Sequence, residues 1–89
     1  MVTCVVTAKL SRPLEDWKRD FEAHREIRER YGVRDRYAGR VVGGDVDADM
    51  LVIFEADSEA SLRELMAAES AMIASAGHVL ESTRLILAD

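Results

Sequence analysis

The stretch MLVIFEA, residues 50–56, limits what this chain can fold into more than any other. β-Branched and aromatic residues at this density predict a strand. Side chains alternate along a strand, so Met50, Val52 and Phe54 share one face while Leu51 and Ile53 share the other. Both faces are apolar, and each must be covered. VTCVVTAKL near the N-terminus poses the same problem: Val2, Cys4, Val6 and Ala8 alternate with Thr3, Val5 and Thr7.

The remaining elements follow from start and stop signals. Pro13 suits a first helical turn, and Glu15 and Asp16 complement the positive end of the helix dipole. Gly32 is placed to end that helix in a left-handed conformation. Residues 34–42 read as a second strand, GGDVDAD as a loop, and MLVIFEA as the third strand. Ser58 is a good N-cap for a second helix that Gly77 stops, and LESTRLILA reads as a fourth strand. The order is β-α-β-β-α-β. That is the α+β, ferredoxin-like arrangement: one antiparallel sheet with two helices on one face. Two helices cover one face only. A second subunit packed on the other is the simplest cover, so the expected assembly is a symmetric homodimer joined through the sheet face.

At 89 residues, residues 1–89 are read as a single domain. Cys4 is the only cysteine, which excludes an internal disulfide and fits a reducing, cytoplasmic setting. A net charge of −5 argues against nucleic acid as a partner. No apolar run approaches the roughly 20 residues needed to span a bilayer, so no membrane partner is expected. The ten arginines outweigh the two lysines, a bias that goes with GC-rich bacterial genomes.

The helix stripes carry the chemistry. Leu14, Trp17, Phe21, His24, Arg28 and Tyr31 follow steps of three and four, within an arc of about 100°. His24 and Arg28 are thereby aimed at the sheet in line with aromatic residues. In the second helix Leu62, Leu65, Met66, Met72, Ile73 and Ala76 form the apolar stripe, with Glu69 in its middle. A carboxylate there needs a partner, and His24 and Arg28 are the expected ones. Two readings follow. The three groups are a structural polar cluster, or they form the polar end of an apolar pocket. In the second case His24 is the acid or base, Glu69 orients it, and Arg28 holds an oxyanion. Trp17, Phe21, Tyr31, Tyr37, Met66 and His78 are the candidate ligand contacts. His78 also stands where a cation favours a helix C-terminus. Arg34, Arg36 and Arg40 share one face of the second strand. Asp45, Asp47 and Asp49 imitate the start of a calcium loop, but Met50 stands at the required glycine and Ala56 at the closing glutamate. No Cys/His spacing suits zinc, and no metal is expected.

The element order, the length and FEAHREIRERYGV together resemble the dimeric α+β barrel superfamily over essentially the whole chain. Within it, FEAHRE before a glycine and AGH after the second helix resemble the small antibiotic-biosynthesis monooxygenase-type and polyketide cyclase-like proteins. The resemblance implies a homodimer, with a pocket between helices and sheet in each subunit. It also implies cofactor-independent small-molecule chemistry of the cyclase, isomerase or monooxygenase type, in bacterial specialised metabolism. The haem-degrading members carry a histidine near the end of the second helix, an asparagine in strand one and a tryptophan in helix two. Here Ser75 falls at the histidine, and neither other residue is present, so no cofactor is expected. The expected ligand is small and apolar or aromatic. The alternative is a non-catalytic ligand-binding or scaffold protein of the same fold.

Overall fold

The computed structural model describes residues 1–89. Strands β1 (Val2–Ala8), β2 (Val33–Arg40), β3 (Met50–Ala56) and β4 (Arg84–Ala88) form one sheet in the order β2-β3-β1-β4. Every neighbouring pair is antiparallel. Helices α1 (Leu14–Ala23) and α2 (Arg25–Arg30) connect β1 to β2, and α3 (Glu59–Ala68) and α4 (Ser70–Ser75) connect β3 to β4. A 3-10 turn at Leu80–Ser82 leads into β4, which is therefore shorter than LESTRLILA suggests. The fold is ferredoxin-like.

Alternation along the strands sorts the two faces. Cys4, Val6 and Ala8 of β1 and Met50, Val52, Phe54 and Ala56 of β3 are buried beneath the helices. Trp17, Leu62 and Leu65 close over them. On the opposite face Val5 lies opposite Ile53 and Ile86, and Tyr37 pairs with Ile53. Ile86 is 65% exposed and Tyr37 54% exposed in the single chain.

Three predicted caps hold. Gly32 has φ +78 and Gly77 φ +116, both in the left-handed region that side chains disfavour. Ser58 Oγ accepts the Ser61 backbone N–H and caps α3. Pro13 lies one place before the first helical residue, at the N-cap.

The two long helices expected from periodicity are each broken, at His24 and at Glu69. The first break has a visible cause. Arg28 Nη2 donates to the Phe21 carbonyl at 2.6 Å, the same carbonyl that a continuous helix would offer to the Arg25 N–H. The chain tightens there, and His24 N–H bonds to Phe21 O instead. A bulge between Asp35 and Tyr37 likewise breaks the expected face of Arg34, Arg36 and Arg40. Arg34 and Arg36 pair with Glu55, whereas Arg40, opposite Met50, reaches Glu15 of α1.

Candidate functional site

A cavity of about 60 Å³ lies between the helices and the sheet. Val6, Met50, Val52 and Phe54 form its floor, and Met66, Met72 and Ile73 belong to its helical wall. Its three polar lining residues are His24, Arg28 and His78. Six of the nine candidates from the sequence line it: Trp17, Phe21, His24, Arg28, Met66 and His78. Trp17 and Phe21 stack at 5.0 Å between ring centroids, and Phe21 lies 6.0 Å from Phe54. A larger, more polar groove of about 790 Å³ runs over the other sheet face beside Val5, Lys9, Asp47 and Ile86.

Arg28 is 5% exposed and heavily committed. Its Nε and Nη2 donate to the two oxygens of Asp35 at 2.8 and 2.7 Å, and its Cζ sits 3.7 Å above the centre of the Phe21 ring. A two-point carboxylate pair with a stacked aromatic is the arrangement a planar guanidinium suits best. Nη1 alone has no protein acceptor, so it is the donor Arg28 has left to offer.

Glu69 does not meet Arg28 or His24. It accepts the Tyr31 hydroxyl at 2.8 Å, tying the start of α4 to the end of α2. The Glu69 carboxylate and its own burial hold the Tyr31 hydroxyl above its usual pKa. The expected partnership fails because Tyr31 takes the Glu69 carboxylate while Asp35 takes the Arg28 guanidinium. Neither Glu69 nor Tyr31 lines the cavity. Tyr37 is on the opposite sheet face, over Gly39, where a Cβ would collide with its hydroxyl.

His24 is half-buried at the break between α1 and α2, and neither ring nitrogen bonds to protein. His78 is 7% exposed, and its Nε2 lies 2.7 Å from Thr83 Oγ1. Burial lowers its pKa and disfavours the cation expected at the helix end. Arg12 fills that role, with Nη1 on the carbonyls of Ser75 and Ala76 and on Asp20 at 2.6 Å.

The profile of a domain of unknown function, DUF3764, matches residues 1–87. The chain belongs to the DUF3764 family. No curated protein matches it. Two solved structures are similar to this DUF3764 chain. One is a dimeric protein of unknown function and ferredoxin-like fold from Bacteroides fragilis NCTC 9343, with TM-score 0.54, 16% identity and coverage of 99% of this chain and 94% of that one. The other is an ethyl tert-butyl ether d (EthD) family protein from Bacillus halodurans C-125, with TM-score 0.52, 19% identity and coverage of 100% and 97%. At these identities the likeness concerns the fold.

Two residues that bond to the candidate site were missed from sequence: Asp35 and Thr83. Asp35 stands two places after the buried Val33, on the helix-facing side of β2 before the bulge. An acidic residue on an inward strand position was the available signal. Thr83 had none, because the turn that brings it to His78 lies inside what reads as strand.

Proposed function

We propose that this chain is a homodimeric small-molecule protein whose helix–sheet cavity takes a small apolar or aromatic ligand and performs cofactor-independent proton transfer on it. Isomerase or cyclase chemistry fits best, since it needs a shaped pocket and acid–base groups. Monooxygenase chemistry depends on a substrate that reduces oxygen, which no feature of the cavity favours. The observation that carries the reading is His24, a half-buried imidazole beside an apolar cavity with both nitrogens free of protein partners. Imidazole is the side chain most often used as a general acid or base. Arg28 Nη1 supplies a donor for ligand oxygen, with Asp35 holding the guanidinium in place. Glu69 acts at a distance, by tethering the start of α4 to Tyr31 as a pivot. The dimer rests on the apolar outer face around Val5, Ile53 and Ile86, and on the dimeric state of the Bacteroides fragilis relative.

A second reading has a specific observation behind it. The cavity, at 60 Å³, is smaller than the roughly 150 Å³ that takes up benzene in an engineered apolar core. Arg28 is largely satisfied internally. A ligand-binding or scaffold protein without turnover accounts for both. Under the first reading α4, which has no buried residue, must move outward to admit the ligand.

The test is deuterium exchange at the carbon next to the carbonyl of acetophenone, followed by NMR. Wild type should accelerate exchange, and His24→Ala should lose about 10²–10⁴-fold of that acceleration while melting unchanged. Binding of the ketone with no acceleration in wild type would select the second reading.

A further inference from the structure

His78 is the second histidine of the cavity, and its hydrogen bonds determine which nitrogen carries the proton. Thr83 Oγ1 lies 2.7 Å from the Leu80 carbonyl and 2.7 Å from His78 Nε2. A carbonyl only accepts, so the single hydroxyl proton goes to Leu80 O. Thr83 Oγ1 must then accept from the imidazole, which places the ring proton on Nε2. Nδ1 is left as a lone pair with no protein donor. No side-chain nitrogen or oxygen in the chain is sealed without a partner. Nδ1 therefore keeps accessible surface, and His78 is a lining residue of the cavity.

We propose that His78 determines the specificity of this cavity: Nδ1 accepts a hydrogen bond from a ligand hydroxyl, so the ligand is a small phenol or enol and not a bare hydrocarbon or an ether. The assignment rests on the cavity being the ligand site. Burial disfavours the charged ring and keeps the lone pair available. The walls around it are apolar, and a hydroxyl entering such walls without an acceptor would forfeit its bonds to water. Nδ1 is what reverses that preference. Arg28 Nη1 only donates, so it serves a ligand oxygen but cannot receive a hydroxyl proton.

Binding of phenol, anisole and toluene to the full chain separates these claims. Phenol should bind about tenfold more tightly than toluene, one hydrogen bond's worth. Anisole, which accepts but cannot donate, should bind well below phenol. His78→Leu should abolish the preference for phenol over toluene and retain toluene. In long-range proton–nitrogen spectra of the unliganded wild type, His78 should show a protonated Nε2 and a bare Nδ1, and phenol should shift Nδ1. Equal binding of phenol and toluene, a preference that survives His78→Leu, or a proton found on Nδ1 would each overturn the assignment. Toluene binding with no phenol preference would sink this inference alone. Failure of all three probes to bind would remove the cavity reading, and this inference with it.

Discussion

Asp35 shares its carboxylate between a buried guanidinium and Arg25, which lies 3.3 Å away and is mostly exposed. Removing one partner of a buried pair leaves the other charge uncompensated. Asp35→Ala should therefore cost about 3–5 kcal/mol in chemical denaturation, whereas Asp16→Ala, which removes an exposed pair with Arg19, should cost under about 1 kcal/mol. Similar losses for both would show that Arg28 finds another acceptor. His78 gives a pH signature. Its folded pKa lies below the ordinary 6.5, so the unfolded chain binds more protons wherever the two differ. Its contribution to stability is complete above about pH 6.5 and is lost as pH falls toward the folded pKa. The melting temperature should drop through that window, and His78→Leu should flatten the drop. Of these residues, Arg28 and His78 could be found by position on a stripe or beside a glycine. Their partners could not, because Asp35 and Thr83 reach them through the pairing of β2 and through a short turn.

At the scale of elements, the breaks at His24 and Glu69 make α2 and α4 separate short segments. Helices of six residues are not stable by their own hydrogen bonding and depend on what they touch. α4 has no buried residue and is tethered at its start through Tyr31. Its amides should exchange with deuterium about tenfold faster than those around Leu62 and Leu65 of α3, and Tyr31→Phe should widen the gap. Equal protection across residues 59–75 would mean the break is not a point of weakness. Gly32 joins α2 to β2 with φ +78, and an added Cβ there would also strike the Asp57 carboxylate. Gly32→Ala should cost about 1–2 kcal/mol from the backbone conformation alone, measurable as a shift of the denaturation midpoint. Periodicity anticipated which residues face the sheet over α1 and α3. It ran past the breaks because an i, i+3, i+4 count assumes a regular rotation, and a side chain bonding back to Phe21 O alters that rotation without changing the pattern of residue types.

For the molecule as a whole, the sheet has one face roofed by helices and one that presents Val5, Ile53, Ile86 and Tyr37 outward. A second copy seated there is part of the proposed function. Ile86→Arg should shift the chain toward monomer in sedimentation at micromolar concentration, since an arginine facing its own symmetry mate is both charged and repelled. A wild type that sediments as a monomer would end the proposal. Element order, the inward sets of β1 and β3 and the glycine caps were determined by the sequence itself. Strand alternation and left-handed turns are local: each depends on residues within a few positions of one another. What Arg28, Glu69 and His78 are bonded to was decided only by tertiary structure. A buried polar group takes whichever partner the packed elements bring within about 3 Å, and β-sheet register, a bulge and two helix breaks place those partners from distant parts of the chain.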